Sequence, residues 1–190
     1  MKIIFATRNI EKLKEAKLAL APFGHEVEGR SYSFIEPTEG SLEEIAKIKL
    51  SQIEISLDSP VIVDDSGIFF ESYPGFPGIL TRRVFNLIGY KGIDKLLKEE
   101  SRKAFFHGVI AVKWKEEIKV FEGKTHGVII DPIPLDLPKN VDFPFDPIFK
   151  PDESDRVFGQ MAVEERVYYS YRRKALEELG KWMNAHQLTI

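Results

Sequence analysis

Pro60-Val61-Ile62-Val63-Asp64-Asp65-Ser66-Gly67 is the stretch on which the organisation of the chain turns. A hydrophobic run, Pro60 to Val63, stops abruptly at two adjacent carboxylates, and a small hydroxyl and a glycine follow. Pro60 to Asp64 is expected to be a buried strand. Carboxylates at the end of such a strand are costly unless something cationic meets them. A divalent metal is one answer, and oxygen ligands of this kind suit magnesium. The same Asp-Asp-Ser-Gly letters also make an ordinary surface turn. Gly75-Phe76-Pro77-Gly78 then supplies a turn-rich loop with a second glycine pair.

Working outward, Lys2 to Thr7 reads as a strand. Glu11 to Ala21 places Leu13, Ala16 and Leu20 at helical spacing before Pro22 and Gly24 stop it. His25 to Arg30 is a second strand. Ser41-Leu42-Glu43-Glu44 carries a capping box, and the helix it opens is expected to run to Leu57. Ile68 to Glu71 reads as a short fourth strand. Helical pattern returns at Leu80 to Ile88 and at Ile93 to Glu99. Phe105 to Trp114 and Ile118 to Gly123 read as paired strands, with Val128 to Ile130 extending the pairing. Asp131 to Asp152 holds prolines at 132, 134, 138, 144, 147 and 151 and is expected to be mostly irregular; its aromatics Phe143, Phe145 and Phe149 argue against disorder. One helix from Val163 to Met183 closes the chain. The pattern is that of a single mixed α/β domain over residues 1–190.

The 190 residues suffice for one sizeable core, and 43% of them are hydrophobic and 30% charged, an ordinary soluble composition. No apolar run approaches the roughly 18 residues of a membrane span. There is no cysteine, hence no disulfide framework and no thiolate metal site, which fits a cytoplasmic protein. A net charge of −3 argues against binding nucleic-acid polymers, which calls for a basic face. Gly-x-Ser-x-Gly, Walker A and Gly-x-Gly-x-x-Gly patterns are all absent.

Other groups carry two readings each. In Thr7-Arg8-Asn9-Ile10-Glu11-Lys12 a strand runs through a polar turn into a helix N-terminus, where free N–H groups attract phosphate; Asn9 equally serves as a plain cap. Lys49 lies on an amphipathic helix, either solvated or aimed at an anion. Glu36 and Glu39 are either charges favouring a helix start or ligands for a metal at Asp64 and Asp65. Between Arg166 and Arg173 the chain is rich in arginine and tyrosine. Arginine suits bidentate phosphate recognition, but the adjacent Arg172 and Arg173 cannot face the same way.

Taken in order, these parts resemble the inosine/xanthosine triphosphate pyrophosphatase family, also called Ham1-like. Thr7, Asn9 and Lys12 match its Thr-x-Asn-x-x-Lys, with Glu15 after it. Leu42, Glu43, Glu44, Ala46 and Lys49 match its Leu-Glu-Glu-x-Ala-x-x-Lys. Asp64 to Gly67 match Asp-Asp-Ser-Gly, and Gly75, Pro77, Gly78, Thr81 and Arg83 its glycine-proline-glycine segment. Phe143, Phe145, Asp146, Pro147 and Phe149 match its aromatic Asp-Pro segment, and Glu165, Ser170, Arg172 and Ala175 its final segment. The chain departs from the family at Tyr171, where a histidine is usual, at Arg166 in place of lysine, and at Asp142 and Pro144 in place of glycines.

The resemblance implies an elongated mixed β-sheet flanked by helices, in two lobes with a central cleft, commonly as a homodimer. It implies hydrolysis of ITP, dITP or XTP to the monophosphate and pyrophosphate with Mg2+. Asp65 is then the carboxylate that activates or orients water. Asp64 and Asp65, with Glu36 or Glu39, hold the metal. Thr7, Asn9, Lys12, Lys49 and Arg83 cradle the triphosphate, and Ser66 and Gly67 allow close backbone approach. Phe143 stacks on the purine, while Asp146, Arg166, Tyr171 and Arg172 read its edge. A tyrosine hydroxyl both donates and accepts, so Tyr171 is expected to discriminate less sharply than histidine between a 6-carbonyl and a 6-amine. A pyrophosphatase of the same fold with another base preference, and a nucleotide-binding homologue without catalysis, are the competing readings.

Overall fold

Six strands and five α-helices form in the computed structural model, which describes residues 1–54, 59–134, 136–138 and 143–187. Strand β1 (Lys2–Ala6) pairs in parallel with β2 (Glu26–Arg30) and with β3 (Val61–Phe70). Helix α1 (Ile10–Leu20) makes the crossover from β1 to β2, as parallel pairing demands. Helix α2 (Leu42–Ser51) precedes β3, and α3 (Thr81–Leu96) follows it. Strands β4 (Lys103–Trp114) and β5 (Glu117–Ile129) lead to the short β6 (Phe149–Pro151), which pairs antiparallel with β5. Helices α4 (Val163–Tyr169) and α5 (Tyr171–Gln187) close the chain. The sheet runs β2-β1-β3-β4-β5-β6, a mixed α/β arrangement. Proline at 151 is tolerated because β6 is an edge strand.

Three expectations change. The strand carrying the acidic pair does not end there: β3 runs for ten residues through Asp64, Asp65 and Ser66 to Phe70. The polar residues are accommodated in mid-strand because cations meet them, as described below. Helix α2 stops at Ser51, short of Leu57, which lies outside the described residues. There the Gln52 N–H turns back to the carbonyls of Lys49 and Leu50, and the Gln52 side chain bonds elsewhere. The C-terminal helix is two helices. Ser170 separates them, and its Oγ accepts the N–H groups of Arg172 (3.0 Å) and Arg173 (3.2 Å), capping the first turn of α5. The remaining elements follow the sequence closely; the capping box of Ser41 and Glu44 forms, and Gly89 (φ 58°, ψ −171°) interrupts α3 between the two expected helical patterns.

The chain divides into two compact units: Met1–Asp65 with Gly108–Lys124 and Ser170–Ile190, and Ser66–His107 with Thr125–Tyr169. The first is built around Ile3 and Phe5 of β1, Ala16 and Leu20 of α1, Ile62, Ile110, and Leu176 and Leu179 of α5, all buried. Each fully buried Leu, Ile or Phe among them stabilises the fold by about 1.5–3 kcal/mol. The second has an aromatic core in which Phe149 meets Phe106 (ring centroids 4.8 Å) and Phe158 (5.3 Å), and Phe145 meets Phe85 (5.9 Å) and Phe70 (6.1 Å). No described helix is long and apolar enough to cross a membrane.

Candidate active site

In the first unit the turn after β1 positions a cation. The Asn9 side chain accepts the Lys12 N–H at 3.0 Å, and the Thr7 hydroxyl accepts the Asn9 N–H at 3.1 Å. Asn9 is therefore the N-cap of α1. Lys12, one turn in, lays its ammonium across both carboxylate oxygens of Asp64, at 3.1 and 3.0 Å. From α5, Arg172 Nε reaches Asp64 Oδ2 at 3.1 Å, and its Nη1 reaches Glu15 Oε2 at 2.5 Å. Glu15 also accepts the hydroxyl of Ser170. A buried carboxylate is disfavoured by lost hydration, but Lys12, Arg172 and Lys49 overcome that and hold Asp64 well below the usual carboxylate range. Burial likewise opposes the charge of Arg172; Tyr171, Glu15 and Asp64 more than compensate and raise it well above its ordinary value. The phenolic oxygen of Tyr171 accepts from Arg172 Nη2 at 3.1 Å.

Asp65 has a different partner. Lys49, 6% exposed, brings its ammonium to Asp65 Oδ1 at 2.8 Å and to Glu36 Oε1 at 2.8 Å, with the Asp64 carbonyl at 3.4 Å. Burial lowers the proton affinity of Lys49, yet Asp65 and Glu36 win and raise it. Asp65 moves the other way from Asp64. Its burial, aided by the neighbouring Asp64 charge, outweighs Lys49 and lifts its carboxyl above the usual range. Two adjacent acids are thus driven apart, the pattern by which proton acceptors are set off from fixed charges. Glu39 is exposed. Arg173 turns outward to Glu177 at 2.5 Å, so only one of the two adjacent arginines enters this centre.

In the second unit Gly67 lies so close to the glycine-proline-glycine loop that a Cβ there would sit 2.1 Å from the Gly78 carbonyl oxygen. Thr81 fastens this contact: its Oγ1 accepts the Ile68 N–H at 2.9 Å and donates to Gly78 O at 2.6 Å. Ser66 stands at the start of this unit, and Arg83 is exposed on the first turn of α3. Elsewhere in the unit Arg166 Nη1 bonds Asp146 Oδ2 at 3.0 Å and places its guanidinium 5.8 Å from the Phe143 ring centroid. These three residues, with Lys150, Asp155 and Gln160, line a hollow of about 650 Å³. Pro144 is next to Phe143; Asp142 lies outside the described residues.

Thr7, Asn9, Lys12, Lys49, Asp64, Asp65, Glu36 and Arg172 therefore gather in one unit, and Phe143, Asp146 and Arg166 in the other. Glu15 and Ser170 belong to the first centre although no site role follows from their sequence context. A signal existed for Glu15, a carboxylate on the same face of α1 as the buried Ala16 and Ala19: a buried charge needs a partner.

A model of the Ham1 family matches residues 3–182. The chain belongs to the Ham1 family. Among Ham1 relatives, the dITP/XTP pyrophosphatase of Methanopyrus kandleri is 43% identical over 185 residues, covering 96% of each chain. That of Thermococcus kodakarensis is 39% identical over 184 residues, 96% of this chain and 97% of the relative. The fold matches the Staphylococcus aureus Ham1 protein with a TM-score of 0.75 at 28% identity, over 98% of this chain and 100% of the other.

Proposed function

We propose that this Ham1 family member hydrolyses non-canonical purine nucleoside triphosphates, dITP, ITP and XTP, to the monophosphate and pyrophosphate. The observation that carries the reading is the pair of largely buried ammonium groups, Lys12 and Lys49, set against Asp64 and Asp65 beside the N-terminus of α1. Cations anchored in this way, beside a helix N-terminus, are suited to a polyphosphate. Asp65 accepts a proton from water as the water oxygen bonds phosphorus at the α–β anhydride. The bridging P–O bond breaks, and pyrophosphate leaves with its electron pair. The raised proton affinity of Asp65 fits it for that task. Asp64, neutralised on both oxygens, fixes Lys12. Arg172, engaged by Asp64 and Glu15, acts as their counter-charge. Thr7 and Asn9 shape the turn, and Arg83, in the second unit, is a further exposed cation suited to phosphate. Ser66 and Gly67 keep the backbone close. The hollow at Phe143, Asp146 and Arg166 is of a size that takes a small ligand; Phe143 stacks on the base, and Asp146 and Arg166 read its edge.

The donor set is compatible with magnesium. Among the described residues no three acidic or imidazole groups cluster as a complete metal cage. Asp65 and Glu36 nevertheless converge on one cation, the Lys49 ammonium. Two carboxylates completed by substrate phosphates is the habitual magnesium arrangement. Asp65 and Glu36 are thus the residues that would hold the ion, ahead of Asp64, whose oxygens already face Lys12 and Arg172. When bound, magnesium neutralises phosphate charge and lowers the barrier to attack. On the family resemblance we extend the reading to a homodimer, and on the absence of cysteine to the cytoplasm.

Pyrophosphate release measured across dITP, ITP, XTP, GTP and ATP with magnesium tests the proposal. Faster release from the first three is expected. No release from any of the five would overturn it.

A further inference from the structure

Glu36 sits on a segment, residues 31–37, that forms neither helix nor strand. Its neighbour Ile35 is 84% exposed, so side-chain packing at that residue does not hold the backbone in place. The side chain of Gln52, the residue that follows α2, does. Gln52 Oε1 accepts the Ile35 N–H at 2.8 Å, while its Nε2 donates to the Ile35 carbonyl at 2.9 Å. The amide thus pairs with both polar groups of one residue, as a neighbouring strand would. One turn earlier, on α2, Lys49 holds the Glu36 carboxylate at 2.8 Å. At the start of the segment, Arg8 donates to the hydroxyls of Ser31 and Ser33.

We infer that Gln52 is a positioning residue for Glu36, fixing the backbone next to the carboxylate that would reach the metal. The inference rests on the proposed role of Glu36. It assigns to an exposed glutamine, outside every segment that carries the family resemblance, the task of delivering a ligand. Without the amide clamp the carboxylate retains only its ion pair with Lys49, the contact that a metal and a polyphosphate would compete for. Loss of a partner that orients a ligating side chain typically costs about 10–100-fold in metal affinity.

The test compares the full-length protein with Gln52→Ala and Gln52→Glu. Hydrogen exchange at the Ile35 amide reports on the clamp directly. Mn2+ titration with a non-hydrolysable α,β-methylene dITP reports on the ligand. In Gln52→Ala the Ile35 amide is expected to exchange faster, and Mn2+ to bind about 10–100-fold more weakly, while the amides of Ile3 and Phe5 keep their protection. Gln52→Glu retains the acceptor for the Ile35 N–H but loses the donor to its carbonyl, and should fall between. Nucleotide KM at saturating magnesium should stay at the wild-type value. Unchanged Ile35 exchange, faster exchange with unchanged Mn2+ affinity, or loss of protection throughout β1 would each overturn the inference. Neither physical readout needs turnover, so both judge the clamp even in a protein that releases no pyrophosphate.

Discussion

The acidic centre of the first unit and the hollow of the second both contain an aspartate paired with an arginine, on different terms. Asp64 is 7% exposed and bonded on both oxygens, by Lys12 and by an Arg172 that is itself shared with Glu15. Asp146 meets Arg166 at 3.0 Å in a pair that lines open space beside Phe143. In the first, charge is closed upon itself and the protein has already met the cost of desolvating it. In the second, polar atoms stand where a ligand can use them. A buried network of this kind sets geometry, because removing one member strands the others. The Asp146–Arg166 pair is less enclosed, its side chains 14% and 21% exposed against 7% and 4% for Asp64 and Arg172.

The largest effect that bears on this contrast is at Asp65. Asp65→Asn is expected to reduce pyrophosphate release by about 10³–10⁴-fold, the upper part of what a general base supplies, with the circular dichroism spectrum unchanged; residual activity near wild type would remove Asp65 from the chemistry. The same centre has a pH signature. Asp65 must be ionised to accept a proton and its affinity is raised, so kcat/KM should fall with decreasing pH at a value above the ordinary carboxylate range. Asp64 is depressed. Its contribution to stability is complete above its unfolded value of 3.8 and is lost only as pH falls below it. Activity should therefore fail before folding does when pH is lowered, and coincident midpoints would count against the opposed shifts.

Next in size is a matched pair of arginines. Arg172→Met leaves Asp64 and Glu15 short of a counter-charge and should cost about 3–5 kcal/mol in urea unfolding. Arg166→Met, in the less enclosed pair, should cost less than that while raising KM for dITP. Equal losses of stability would erase the distinction between the two centres. The smallest effect is at Tyr171. If the hydroxyl discriminates loosely, Tyr171→His should raise the ITP-to-ATP rate ratio by roughly tenfold, within the 1–3 kcal/mol of one unpaired buried group. An unchanged ratio would take Tyr171 out of base selection.

How legible these centres are in the sequence follows from the range of the contacts. The cap at Asn9, the capping box at Ser41 and the parallel β1–α1–β2 unit depend on residues within a few positions of each other, and local pattern finds them. The continuity of β3 does not. Asp64 to Ser66 read as the end of a strand, because what lets charge remain in mid-strand comes from residues 52 and 108 positions away, Lys12 and Arg172. The break at Ser170 was hidden for the same reason. Tyr168, Tyr171 and Ala175 continue a helical spacing, while the hydroxyl that interrupts it is bound to Glu15, 155 residues distant. Helical pattern alone leaves Lys49 either solvated or aimed at an anion, because Asp65 and Glu36, which enclose it, lie far from it in sequence. Order in sequence, through the family resemblance, located most members of the first centre, but not which of Glu36 and Glu39 turns toward Lys49.

The bond from Ser170 to Glu15 also bears on the order in which the molecule matures. Helix α1 and strand β3 leave the ribosome well before the closing helix is made, and until then Glu15 and Asp64 lack the guanidinium that sits between them in the finished protein. Glu15 must stay hydrated through that interval, since sealing it early would trap a bare charge, whereas Asp64 already has Lys12. The closing helix thus brings the counter-charge of Arg172 together with the hydrophobic contacts of Leu176 and Leu179.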